Sequence, residues 1–369
     1  MADRIAVTYR VRSTHKAIEA RARTIAVEQS VEMPVEAIAD ATVLRDVMGA
    51  VQQIAPVDES RDLFDVTIRL AASTIGADAG QLLNMLFGNT SLHDDVVLHD
   101  IALTPAQAAS FGGPSLGIAG LRSLVGAAGR ALTCSAIKPQ GLPPEGLAEI
   151  AEQMALGGLD YIKDDHGLAD QRAAPFAERV CACADAVRRA AARTGYPTRY
   201  VPSLSGSLDA LRHQAGVARD EGLRAVMVAP MIAGWSNVQA LRRDYPDLAV
   251  FAHPSMGGTA IRPALLIGTF FRLLGADAVI YPHHGGRFGY SLRECAALAQ
   301  AARSPISGIA PAMPVAAGGM TLARVPEILD FYGPDVMLLI GGSLLAAGER
   351  LAEATEGFAR AVAEHRYGG

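Results

Sequence analysis

The chain has 369 residues, half of them hydrophobic, so it can bury a substantial core and is not a disordered polymer. Its 33 Lys and Arg against 38 Asp and Glu leave a formal charge of -5 with no basic run, which excludes nucleic acid or an anionic membrane as the main partner. A small-molecule ligand is the class that remains.

In chain order, the opening MADRIAVTYRVRS carries Asp3 and Arg4 and lacks the apolar segment of a signal peptide, so a cytoplasmic protein is expected. RIAVTYRV alternates apolar and polar, THKAIEARARTIAVEQS has helical periodicity, and FDVTIRLAA alternates again. These make an α+β module. Gly and Pro punctuate SFGGPSLGIAGLRSLVG, and the rhythm then changes. A domain boundary is placed there, giving domains 1–120 and 121–369.

From residue 131 onward, short apolar strands recur: ALTCSAIKP, LDYIKDD, TRYVPSLSG, RAVMVAPMIAG, LAVFAHPSM, DAVIYPHHGG, MPVAAGGM and VMLLIGGS. Helix-length spacers separate them, as in a parallel sheet covered by helices. Eight such units in roughly 240 residues predict a (β/α)8 barrel. The stretch PALLIGTFFRLLGADAVIYP reads as a buried helix and a strand, since Arg272 and Asp277 interrupt it and it never reaches the roughly 18 apolar residues of a membrane span. The four cysteines are too few and scattered for a disulfide framework, and Cys181 and Cys183 fall on different faces of one helix.

Barrel chemistry sits where strands end. The polar clusters fall there: Lys138 after the first strand, GGLDYIKDDHG at the second, Ser203 and Ser205 after the third, and His253 after the fifth. His283, His284 and Arg287 follow the sixth strand, Gly318 and Gly319 the seventh, and Gly341 and Gly342 the eighth. Period-two alternation sends Lys163 and Asp165 to one face. An ammonium would repel a cation held by Asp165 and His166. Addition of carbon dioxide to Lys163 removes the conflict, because a carbamate is an anionic oxygen ligand and the three side chains then share one divalent ion.

GGLDYIKDDHG resembles the strand-two metal motif of the ribulose bisphosphate carboxylase (RuBisCO) large-chain superfamily, in which the lysine is carbamylated and magnesium is bound. AIKP resembles that family's strand-one segment, and the resemblance gives Lys138 the place of its active-site lysine. FGN and AVEQS place Asn89 and Glu28 as residues that complete the site of a neighbouring subunit, which implies at least a homodimer. GGM and IGGS match two loops that hold one phosphate, through Gly318, Gly319, Gly341 and Gly342. The implied fold is an N-terminal α+β, ferredoxin-like domain followed by a (β/α)8 TIM barrel. The implied cofactors are Mg2+, or Mn2+, with CO2 as the carbamate on Lys163.

Departures from the family pattern matter as much. His166 stands for the third acidic ligand, and it is either a direct ligand or one step removed from the metal. Pro254 stands for an arginine after His253, Tyr281 for a histidine after strand six, Gln140 for a lysine, and Arg287 near a lysine of the mobile loop. Carboxylation of a bisphosphate is therefore not expected. The chain resembles RuBisCO-like proteins, which keep enolising chemistry on a monophosphorylated substrate. The strand-six segment GGRF is similar to the branch that isomerises 5-methylthioribulose 1-phosphate. Alternatives are decarboxylation of a phosphorylated 3-oxo-sugar acid of the 3-oxo-isoapionate 4-phosphate type, enolisation of a diketo phosphate, and a non-catalytic sugar-phosphate-binding protein. Three groups compete as base: the carbamate of Lys163, Lys138 and His253. Trp235 is either an apolar wall for a substrate tail or ordinary packing.

Overall fold

The computed structural model describes residues 3–58, 62–286, 288–306 and 308–367. They form two compact units, one up to Phe111 with Gly258–Leu266, the other Gly112–Gly257 with the chain from Ile267 onward. In the first, β1 (Arg4–Arg12), β2 (Ala50–Asp58), β3 (Leu63–Ala71) and β4 (Val96–Ala102) pair antiparallel in the order β2-β3-β1-β4. The period-two text of β1 buries Ile5, Val7, Tyr9 and Val11 on one face. The helix Ile18–Glu28 buries Ile18, Ala22, Ile25 and Ala26. The hydroxyl of buried Tyr9 donates to the Leu86 carbonyl at 2.6 Å. Neither β2 nor β4 is anticipated from the sequence. Both are edge strands, and β2 is mostly exposed and bulged, so burial does not impose a clean alternation on it.

The second unit is an eight-stranded parallel sheet in the order β7-β6-β5-β12-β11-β10-β9-β8. Its strands are β5 (Leu132–Ile137), β6 (Tyr161–Asp164), β7 (Arg199–Val201), β8 (Ala225–Val228), β9 (Ala249–Ala252), β10 (Ala278–Pro282), β11 (Met313–Ala317) and β12 (Met337–Leu339). A bridge between Ser203 and Met227, with the Met227 amide on the Pro202 carbonyl at 2.8 Å, brings β7 to β8 and closes the ring. The eight strands anticipated from the sequence are those observed. Alternate residues point inward: Leu132 and Cys134, Tyr161, Phe251, Ile280, Val315 and Leu339 belong to one buried cluster.

The helix Gly117–Leu124 closes the end where the strands begin. Leu121 joins the interior cluster, and the Leu121 and Leu124 carbonyls accept from Tyr161 Oη (2.7 Å) and Arg199 Nε (2.9 Å) at the starts of β6 and β7. This helix is tied to the barrel, so the division falls after Phe111 where the sequence suggests 120. The two charges inside the apolar stretch have structural employment. Arg272 is fully buried, its guanidinium donating to the carbonyls of Ala301, Ser304, Ile309 and Ala310. Asp277 accepts the amides of Leu116 and Gly117 on Oδ1 (both 2.7 Å) and of Val250 on Oδ2 (2.8 Å). Asp277→Ala strands three buried donors and is expected to cost on the order of 4 kcal/mol, read as a lowered midpoint in urea unfolding. Asp277→Asn, which keeps one acceptor, should lose clearly less. The segment before Asp277 is a π-helix, Ala264–Phe270, continued by Phe271–Leu273. Among the described residues no helix is long and apolar enough to cross a membrane.

Candidate active site

The inward alternation, continued past the strand ends, selects the mouth of the barrel. Cys134 and Ala136 lead to Lys138, Tyr161 leads to Lys163 and Asp165, and Phe251 leads to His253. Likewise Val315 leads to Gly319 and Leu339 to Gly341. Lys163 and Asp165 therefore share the inward face, as their spacing requires.

Four of the side chains singled out from the sequence are in direct contact. Lys138 Nζ lies 2.5 Å from Asp165 Oδ2, and His166 Nδ1 lies 3.3 Å from Oδ1 of the same carboxylate. The Gly167 amide donates to Oδ1 at 2.9 Å, with Gln140 Nε2 at 3.5 Å. The imidazole of His166 stacks on that of His253, 4.4 Å between centroids and 6° from parallel. Burial raises the Asp165 carboxyl, but the Lys138 ammonium, the Gly167 amide and His166 outweigh it and hold the group at about 2. Asp165 is an anion ready to bind a cation.

Lys163 is buried, and its Nζ donates to the Asp164 carbonyl at 2.9 Å. Desolvation lowers its pKa, favouring the neutral amine. His253 is pushed down to about 2, by burial first and by Lys163 and His166 next. Its Nδ1 faces Ser255 Oγ at 2.8 Å and accepts from the Ser255 amide at 3.3 Å, which assigns the ring proton to Nε2. His253 is a neutral donor.

Among the described residues, no three His, Cys, Asp or Glu side chains gather as a metal site. Asp165 and His166 supply a carboxylate and an imidazole, and a third oxygen donor has to come from Lys163. Its buried amine suits that task, since only an uncharged amine adds to carbon dioxide. The donor set fits a divalent ion when Lys163 is carbamylated.

Next round the barrel from β5, the glycine turns after β12 and β11 are linked by Ser343 Oγ donating to the Met320 carbonyl at 3.0 Å. Gly318 and Gly319 both have φ of 86°, a left-handed conformation that favours glycine. The loop after β10 rests on this turn: a Cβ on Gly286 would lie 1.7 Å from the Gly318 oxygen, and the Phe288 ring covers Gly318.

Two readings of this region change. Tyr281 alternates with inward Ile280, so it faces outward, packs against Tyr332 and is no counterpart of a substrate-binding histidine. His283, placed from the sequence among the site's polar residues after the sixth strand, is instead fully buried, with Nδ1 2.9 Å from Tyr332 Oη and its amide on the Ala317 carbonyl. Arg287 lies outside the described residues. Trp235 is buried against Phe270, which is ordinary packing.

Burial, with His284 and Arg324, lowers His283 to about 4, and burial with Arg10 lowers His99 to about 4. Below about pH 6.5 the unfolded chain binds protons there that the folded chain refuses, so stability falls with acid between about 6.5 and 4. Each histidine contributes up to about 1.4 kcal/mol per pH unit in that window. Urea midpoints at pH 7 and pH 5 measure the loss, and His283→Gln should remove about half of it, leaving the share of His99.

In the N-terminal unit, Asn89 Nδ2 donates to Glu28 Oε1 and to Glu32 Oε1, each at 2.9 Å. The structure thus pairs the two residues marked from the sequence and adds Glu32. Sequence reasoning also missed the environment of Asp164, which points away from the mouth into a buried polar cluster.

Residues 117–364 match the family model of the ribulose bisphosphate carboxylase large chain, catalytic domain. The chain is 57% identical over 365 residues to 5-methylthioribulose-1-phosphate isomerase of Rhodospirillum rubrum, covering 98% of this chain and 97% of that protein. Identity is 53% over 366 residues to ribulose bisphosphate carboxylase-like protein 1 of Rhodopseudomonas palustris, 99% of each chain. It is 31% over 322 residues to 2,3-diketo-5-methylthiopentyl-1-phosphate enolase of Geobacillus thermodenitrificans, 82% of this chain and 78% of that one. The crystal structure of a Rubisco-like protein from Rhodopseudomonas palustris matches with a TM-score of 0.93 and 49% identity over 100% of both chains. The strand-two motif at the mouth of a closed parallel barrel and the match along the whole length lead to one conclusion: the chain belongs to the ribulose bisphosphate carboxylase large-chain family, in its RuBisCO-like branch.

Proposed function

We propose that the protein isomerises 5-methylthioribulose 1-phosphate by moving protons through an enediol of the substrate. The observation that carries this is the 57% identity, over 98% of the chain, to the Rhodospirillum rubrum isomerase. Lys163 as carbamate, Asp165 and His166 would hold magnesium or manganese, which when bound supplies Lewis-acid polarisation of the substrate carbonyl.

The chain's own groups divide the remaining work. His253, whose Nδ1 accepts from the Ser255 amide and whose ring proton is therefore on Nε2, acts as a donor to a substrate oxygen. That leaves the Lys163 carbamate to take the carbon-bound proton, or Lys138 once it has given up a proton from its 2.5 Å pair with Asp165. The turns at Gly318, Gly319, Gly341 and Gly342 present backbone amides to the single phosphate, as barrel sites after the last two strands do. Glu28 and Asn89 are assigned to the site of a second copy in a homodimer or larger assembly. Sedimentation as a monomer only would remove them from it.

The test is NMR of 5-methylthioribulose 1-phosphate in deuterium oxide with enzyme, magnesium and bicarbonate. Deuterium at the carbon next to the carbonyl, with a new ketose phosphate, is expected. The 31% identity to the Geobacillus thermodenitrificans enolase favours a second reading, enolisation of 2,3-diketo-5-methylthiopentyl 1-phosphate. Turnover of that diketone with no exchange in the ketose would select it and reject isomerisation.

A further inference from the structure

The loop that carries Asp165 and His166 runs from the end of β6 to the helix Phe176–Thr194. One buried side chain straps it at both ends. Arg179, on the first turns of that helix, places Nε 3.2 Å from Asp164 Oδ2, and its Nη1 donates to the carbonyls of Ala169 and Ala174, each at 2.9 Å. Asp164 is itself buried and also accepts from Tyr200 Oη (2.6 Å) on Oδ1 and from the Ser203 amide (2.9 Å) on Oδ2. Its carboxylate is pinned behind the strand while its carbonyl receives Lys163 Nζ. The peptide joining Asp164 to Asp165 is thereby held from both sides.

We propose that Arg179 is a positioning residue for cation loading: its guanidinium, acting through Asp164 and the Ala169 and Ala174 carbonyls, sets the direction in which Asp165 and His166 face the ion. The assignment rests on the reading of Lys163, Asp165 and His166 as the cation-binding set. A planar fork with several donors is needed to hold one carboxylate and two carbonyls at once. Lysine keeps the charge but lacks that geometry.

The experiment observes the carbamate carbon by 13C NMR in 13C-bicarbonate while magnesium is titrated, with Lys163→Ala identifying the signal. In Arg179→Lys the magnesium concentration at half-maximal signal should rise about tenfold, as when hydrogen-bond partners behind metal ligands are lost. In Tyr200→Phe, which removes a single bond to Asp164, it should rise by less, about threefold, below the roughly 10- to 100-fold effect of losing a direct partner of a metal ligand. An unchanged magnesium midpoint in folded Arg179→Lys overturns the proposal, even if the melting temperature drops, because a purely structural strap moves only the latter. If Arg179→Lys does not fold, Tyr200→Phe decides by the same criterion. No carbamate in the wild type at any magnesium concentration overturns the reading of Lys163 and this proposal together, and it shows before any substitution is made.

Discussion

Lys163→Ala is expected to lower deuterium incorporation into the substrate by at least about 10³-fold, because it removes an oxygen donor of the ion that polarises the carbonyl. The protein should remain folded. Burial disfavours the Lys163 ammonium, so its removal relieves a desolvation cost while it sacrifices packing against the barrel interior. Those two effects oppose, and the melting temperature should move little. Exchange rates for both proteins, with circular dichroism at matched concentration, make the comparison. Exchange in Lys163→Ala at near wild-type rate would remove the carbamate from the mechanism and return the base role to Lys138 alone.

Gly286→Ala is expected to weaken binding of the phosphorylated substrate. The added methyl would lie 1.7 Å from the Gly318 oxygen, so the loop after β10 and the turn after β11 must part. A displacement near 1 Å at such a site costs about 10²-fold, and if the turn binds phosphate the loss should fall mainly on KM. Gly341 supplies the contrast, since a Cβ there meets nothing within 4 Å. Gly341→Ala leaves the loops in place, and any loss of phosphate affinity in it reports on bound phosphate alone. Inhibition constants for inorganic phosphate in the two variants separate loop displacement from direct contact. Equal, wild-type constants in both would reject the glycine turns as the phosphate site.

Much of the architecture was legible in the chain because burial writes a period. β1 alternates since one face meets a helix, and barrel strands such as β5 and β8 are buried along their whole length since both faces are covered. The grouping of Lys163 with Asp165 followed from the same period of two. The edge strand β2 escaped detection because burial constrains it weakly, and β4 because only Val96 and Leu98 of it are buried, too short a run to show a period; Tyr281 was misread because an identity at a strand end does not reveal which face it occupies.

By itself the sequence determined the eight-strand barrel, the placement of polar residues after its strands and the lysine–aspartate–histidine motif, all properties of local spacing. Only the tertiary structure decided that Lys138 pairs with Asp165, that His253 is a neutral donor under His166, that His283 is internal and that Arg179 straps the cation loop. The reason is physical. Ion pairs, stacking and desolvation depend on distances between residues far apart in the chain, and no local periodicity carries those distances.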